Sequence, residues 1–381
     1  MKKRMFRKAV SLLLAALLLT ALCASATAAP GGLANFTRVQ TYSDQYADMS
    51  ASTPAWAYNA AVTCFEAGLM QGTDGRFNGG DSLNVAQALV MADRVHQIYH
   101  TGANTLTNGD PWYQTYVDYA IENGIIKRGD FTDYGAKISR ADMAYVFAGA
   151  VPAEALAEIK TVFSIPDLSS APARDRSAVQ TLYKAGVLTG SDEYGTFYPN
   201  REITRYEAAA IIARVAIPAE RKAAELLYKV SDSGVTFDLI QNGELVVDPV
   251  DSDTNAVNNY YYIMHQGYMV RVTASRETFT GAITDDCTTE EFLDIVRDSS
   301  DYPTEVRVTQ VSFGGVKAFR VEDKTDSSDE VLHELSYWFY YRNAMCAVIV
   351  SWFDDVTTAD LQKTIDSLAV NGSRASAGYT V

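Results

Sequence analysis

Two rhythms of apolar and polar residues divide the chain. As far as residue 217, apolar positions recur at three- and four-residue spacing, the period of helices that bury one face. From Val235 onward they alternate with polar ones, the period of half-buried strands. Tyr260 to Met264 and Tyr268 to Ala274 flank a turn at His265-Gln266-Gly267, and Val306 to Phe313 and Val316 to Glu322 flank Gly314-Gly315, a two-residue hairpin signal. Leu335, Tyr337, Phe339 and Tyr341 share one strand face, and Cys346, Val348, Val350 and Trp352 share the next. A helix opening at Thr288 with Glu291 carries Phe292, Ile295 and Val296; another carries Leu361, Ile365 and Leu368. Antiparallel strands with a face covered by one or two helices predict an α+β domain over residues 230–370, and 371–381 reads as a disordered tail.

The helical part repeats itself. One segment runs from Trp56 through Glu66-Ala67-Gly68-Leu69, Gly75-Arg76-Phe77 and Leu83-Asn84-Val85-Ala86-Gln87. A second runs from Trp112 through Glu122-Asn123-Gly124-Ile125, Phe131 and Ile138-Ser139-Arg140-Ala141-Asp142. A third runs through Lys184-Ala185-Gly186-Val187, Gly195-Thr196-Phe197 and Ile203-Thr204-Arg205-Tyr206-Glu207. The glycines at 68, 124 and 186 give periods of 56 and 62. Each segment predicts helix, glycine-ended turn, a loop whose Phe plugs the gap, and a second helix begun by a cap. Thr204 with Glu207 is a full capping box; Ser139 with Asp142 and Asn84 with Gln87 are weaker forms.

Arg140 and Arg205 fall one residue after the cap, where a cation opposes the helix dipole. An anion held by the guanidinium and the helix-start amides would explain them; inter-segment salt bridges are the alternative. Trp56 and Trp112 also admit two readings, a surface for stacking on a sugar or, at helical spacing, part of the core. Arg94 and Arg214 suit solvated helix ends equally well.

Composition then narrows the setting. Lys2, Lys3, Arg4, Arg7 and Lys8 precede an apolar stretch from Ala9 to Leu22 and a small-residue patch at Ala26-Thr27-Ala28, so residues 1–28 read as a secretory signal peptide rather than a membrane span. Its removal takes five of the 32 basic residues and none of the 47 acidic ones, leaving 27 against 47 and a net charge of −20. So acidic a body is no general binder of nucleic acid, and an anionic ligand must meet a few positioned cations. Cys64 reads as a small buried hydrophobe, and a Cys287–Cys346 bridge is open. No spacing suggests a metal or cofactor site.

The order Trp, helix, Gly, Gly-x-Phe and Ile-Thr-Arg-x-Glu resembles the S-layer homology domain, in which three tandem copies are usual. Asp48 and Asp167 occupy the family's leading acidic position. The resemblance implies an all-α pseudo-threefold trimer of repeats at 40–103, 108–152 and 161–217, followed by the α+β domain. It implies grooves that bind secondary cell-wall polysaccharide, often through a pyruvylated amino sugar, with the motif arginine on the acidic group. On that basis the ligand-binding residues are Arg140, Arg205, Ser139, Thr204, Asp167, Asp48, Trp56 and Trp112. The departures matter: Val85 and Gln87 replace the motif Arg and Glu in the first copy, which reads as kept for folding, and Arg174 stands where the others have Trp. At most two competent grooves are expected.

The C-terminal domain is similar in element order to the PsbP-like fold. Its His265, His333 and scattered serines form no nucleophile pattern, and no Gly-x-Ser-x-Gly elbow is present. The expectation is a non-enzymatic, secreted protein held on the cell wall, displaying a C-terminal module for an unknown protein or small ligand. The other reading is a wall-anchored hydrolase with its active site in that domain.

Overall fold

The computed structural model describes residues 31–232, 235–249, 257–265, 268–277, 286–298, 306–313, 315–326, 331–341, 344–353, 358–370 and 372–374. Residues 1–28, expected to be a signal peptide, lie outside them. Two compact units result: residues up to 157 with 172–182 and 199–221, and residues 158–171, 183–198 and 222–381.

Six helices fall where the repeated pattern places them: α1 (Ala55–Glu66), α2 (Val85–Thr101), α3 (Gln114–Glu122), α4 (Arg140–Gly149), α5 (Arg176–Lys184) and α6 (Arg205–Ala216). In α1 the glycine is required by the backbone. Gly68 has φ +70°, its N–H donates to the Phe65 carbonyl and that of Leu69 to Cys64, so the turn closes as a Schellman motif. Gly124, at φ +72°, does the same with Ile121, while Ile125 donates to Ala120. The second helices begin at caps. Asn84 and Thr204 form complete capping boxes with Gln87 and Glu207, and Ser139 accepts from the Asp142 N–H.

The three segments meet at their caps. Leu83 N–H donates to Ile203, Ile203 to Ile138 and Ile138 to Leu83, a closed ring of backbone bonds among three fully buried residues. Around it, the first two amides of each second helix donate to the loop of a different segment. Val85 and Ala86 reach Ala136 and Tyr134; Arg140 and Ala141 reach Arg201 and Pro199; Arg205 and Tyr206 reach Asp81 and Gly79. Helix-start amides that water or a ligand would otherwise satisfy are therefore spent between segments. The buried stripe of α1 is small, Ala57, Ala60, Ala61 and Cys64, and the Cys64 thiol donates to the Ala209 carbonyl of α6 at 3.2 Å. Such close approach leaves no room for an indole there, and Trp56 of α1 is 52% exposed; Trp112, just ahead of α3, is 42% exposed, so the core reading of both residues is corrected.

The second unit contains two antiparallel sheets. One orders β1 (Leu227–Asp232), β2 (Val235–Ile240), β10 (Ala369–Val370) and β11 (Ser373–Arg374) as β1-β2-β10-β11. The other holds β3 (Glu244–Pro249), β4 (Val257–His265), β5 (Tyr268–Glu277), β6 (Arg307–Phe313), β7 (Val316–Asp326), β8 (Val331–Tyr341) and β9 (Ala344–Phe353), ordered β3-β4-β5-β9-β8-β7-β6. The β6–β7 hairpin pairs Phe313 with Val316, the register the glycine pair predicts. Leu335, Tyr337 and Phe339 of β8 join Val348, Val350 and Trp352 of β9 in one core, closed by Leu361 and Ile365 of α8 (Thr358–Ser367). Phe319, Val321 and Cys287 form a smaller core with Phe292 of α7 (Thr289–Asp298). Cys287 is a free thiol, so it makes no bridge. Ser373–Arg374 pairs with Ala369–Val370, so paired backbone continues into the expected tail.

Residues 158–171 and 183–198 join this unit rather than the helical one because polar contacts hold them there. The buried Gln241 side chain accepts from the Phe163 and Ser164 amides and donates to the Ser164 and Leu227 carbonyls. Lys160 Nζ donates to the Ala224 carbonyl, and Lys222 N–H to Gly186.

Candidate functional site

Arg205, at the first turn of α6, is half-buried and aligned by backbone carbonyls. Its Nε donates to Phe77 and its Nη2 to Gln71, each at 2.9 Å, and the guanidinium lies 5.1 Å from the centroid of the Phe77 ring. These bonds hold the fork in place where Arg205 lines a cleft of about 390 Å³. The cleft is lined by Phe77, Asn78, Asp81, Asn84, Gln87, Lys137 and Arg205, with Thr73 and Ser82. Each segment contributes: Arg205 from the third, Lys137 from the second, the cap and loop from the first. Lys137 is exposed, with Nζ on the Ser82 carbonyl at 2.8 Å. Burial lowers the Arg205 pKa, opposed by the charges of Asp81, Tyr46 and Asp48.

Arg140 has another fate. It is 7% exposed and its Nη1 donates to Glu207 Oε1 at 3.2 Å. Arg201 binds the same oxygen, and the other oxygen of Glu207 accepts from the Thr204 N–H and hydroxyl. Burial works against ionisation of Glu207, but the Arg201 bond, the Thr204 N–H and both guanidinium charges hold its pKa below the usual range. The salt-bridge reading thus describes Arg140, and the open cleft belongs to Arg205. Arg174 takes the place of a tryptophan and binds Asp142, Asp175 and the Asp130 carbonyl, 4.4 Å from the centroid of the Tyr145 ring and 5.1 Å from that of Phe131.

The other predicted residues shape backbone. Asp48 accepts from the Phe77 and Asn78 amides at 2.7 Å each, and Asp167 from those of Phe197 and Tyr198 at 2.9 and 2.6 Å. Asn78 and Tyr198 have φ +55°, so each carboxylate holds a strained turn just after the plugging Phe. Burial opposes ionisation of Asp48, but the amides outweigh it and lower its pKa. Ser139 and Thr204 cap their helices, and Ser139 also donates to Asp142. Trp56 and Trp112 are exposed and line no part of the Arg205 cleft. Arg94 and Arg214 are half-buried, with burial lowering both pKa values, rather than solvated. Sequence reasoning missed Lys137; its position just before Ile138 is the one signal that could have found it. The second unit has a cleft of about 350 Å³ lined by Glu158, Ile159, Lys160, Thr161, Ala223, Glu225 and Asn242, with no nucleophile–base pair. No group of three metal-ligating side chains occurs among the described residues.

A helical repeat module with a cationic cleft, followed in the chain by an antiparallel α+β unit, is the class that fold and site define. Residues 164–209 match the family model of the S-layer homology domain. Over 166 residues the chain is 24% identical to the "Surface-layer 125 kDa protein" of Lysinibacillus sphaericus, an alignment covering 42% of this chain and 14% of that protein. The chain thus carries an S-layer homology domain at residues 164–209. No helix among its described residues is long and apolar enough to cross a membrane.

Proposed function

We propose that the protein is held non-covalently on the cell wall by a secondary cell-wall polysaccharide whose acidic sugar, such as a pyruvylated amino sugar, enters the Arg205 cleft. The three segments then act as one pseudo-threefold S-layer homology module, a reading supported by the hydrogen-bond ring of Leu83, Ile138 and Ile203. The observation that carries the ligand assignment is the Arg205 fork, fixed on two carbonyls and open to a cleft beside Lys137. A chain of net charge −15, or −20 without residues 1–28, repels acidic polymers at long range, so recognition depends on these two cations at close quarters. The α+β unit is displayed as a non-enzymatic interaction or ligand-binding module, with PsbP-like element order.

Co-sedimentation of the full chain with purified, peptidoglycan-attached polysaccharide tests this. Wild type pellets with the wall. Lys137→Ala and Arg205→Lys each weaken pelleting about tenfold, the loss of one charge-assisted contact or of its fork geometry. Unchanged circular dichroism keeps folding out of the comparison. Undiminished pelleting of the double variant moves the contact out of the cleft, and failure of wild type to pellet ends the anchoring reading.

A further inference from the structure

The third residue of each second helix decides whether the arginine that faces it from a neighbouring segment is available. In the third segment that residue is Glu207, and it binds Arg140 and Arg201. In the second it is Asp142, which binds Arg174, the guanidinium that stands where the other segments have tryptophan. Val85 supplies no arginine to Asp142, so Arg174 takes that part. In the first segment the residue is Gln87, whose carbonyl oxygen accepts from the Asn84 N–H at 3.1 Å and brings no charge. Arg140 and Arg205 both begin their helices, yet Arg140 meets a carboxylate at the third position of the helix opposite and Arg205 shares its cleft with a glutamine.

We infer that Gln87 makes the Arg205 cleft the anion site of this module, and that the first segment, which lacks both motif charges, is the one that builds the working groove. This rests on the proposed glycan reading and adds its determinant. The carboxylates facing Arg205 are Asp81, which lines the cleft, and Asp48, which is occupied by the Phe77 and Asn78 amides. Neither makes a direct ion pair with Arg205, unlike Glu207 with Arg140. Lys137 adds a second cation. The equivalent position in the third segment is Glu202, and in the first it is Ser82, so neither adds a cation from that place, and the two cations that do meet elsewhere, Arg140 and Arg201, are both taken up by Glu207. A carboxylate at 87 would occupy the guanidinium from within and repel an incoming acid, a built-in competitor that needs no steric change.

Titration calorimetry on the full chain tests this, with the methyl glycoside of a pyruvate-ketal N-acetylhexosamine, its uncharged methyl ester, and sodium pyruvate as probes. Wild type takes up about one acidic probe per chain and does not register the ester. Gln87→Glu keeps the capping box, since Glu207 serves the same cap, and weakens the acid about tenfold or more. Gln97→Glu, which adds the same charge on α2 outside the cleft and still accepts from the Thr105 N–H, binds within about twofold of wild type. Equal binding by wild type and Gln87→Glu overturns the inference, as does equal loss in both variants, which would assign the effect to added charge on the chain rather than to position 87. Uptake of two acids per chain by wild type overturns it too. Binding of pyruvate but not of the glycoside, with the Gln87→Glu loss intact, defeats the glycan reading and leaves the role of Gln87 standing. Failure of wild type to bind either acid overturns the inference even if the chain still pellets with the wall.

Discussion

Asp93 is the residue whose chemistry departs furthest from its surroundings. It sits on α2 with no exposed surface, and neither carboxylate oxygen has a hydrogen-bond partner. Burial pushes its pKa up to about 9, so the folded protein holds it as a neutral acid at pH 7. The folded value lies above the unfolded one. Its contribution to stability is therefore fully present below the ordinary carboxyl pKa and is lost as pH rises toward 9. Asp93→Asn, uncharged at every pH, should flatten that decline. Urea midpoints measured from pH 4 to pH 9 should fall steadily in the wild type and stay level in the variant over the part due to this group. Parallel curves would mean that Asp93 finds a partner when ionised.

At the scale of elements, the loop of the first segment and the start of α6 are fitted to each other. The Phe77 and Tyr206 rings stack with centroids 5.5 Å apart, and a Cβ at Gly79 would lie 2.0 Å from the Tyr206 ring. Glycine is needed there for space, because the Gly79 carbonyl accepts the Tyr206 N–H and the backbone cannot retreat without losing that bond. Gly79→Ala should cost about 1–3 kcal/mol, the range for overpacking a close contact. Thr204→Ala should cost about 1 kcal/mol through the cap alone. In a double-mutant cycle followed by thermal melting, Tyr206→Ala should recover part of the Gly79→Ala loss, whereas Thr204→Ala and Gly79→Ala, acting on different bonds, should come closer to adding. A cycle with no coupling between 79 and 206 would remove the steric argument.

For the helical unit as a whole, the ring of Leu83, Ile138 and Ile203 makes the three segments depend on one another. Ile203→Pro deletes one donor of the ring, and the Ile138 carbonyl loses its partner. Hydrogen exchange should then quicken at the amides of Leu83 and Ile138 as well as near 203, by a common factor, because no segment can keep its cap position when the ring opens. Faster exchange confined to residues 199–221 would show that the segments are held separately. The same closure explains why the first segment could lose its motif Arg and Glu. Its cap and apolar Leu83 keep the ring shut, and Val85 still donates its amide to Ala136.

Local chemistry was legible in the chain itself. Glycines at φ near +70°, capping boxes, a Phe before each second helix and the strand alternation in β8 and β9 all follow from forces acting within a few residues, so they appear where the pattern puts them. What the chain could not show is which charge meets which. Arg140 and Arg205 stand in the same local setting, one residue past a cap, yet one is closed by Glu207, distant in sequence, and the other opens on a cleft with Lys137. The helix-start amides looked free for a ligand because their partners, the carbonyls of another segment's loop, are far along the chain. The exposure of Trp56 has the same origin, since α1 buries a stripe of small residues against α6. Residue types and spacing determined the helices, turns and caps of this protein, and three-dimensional closure alone decided which guanidinium is left facing solvent.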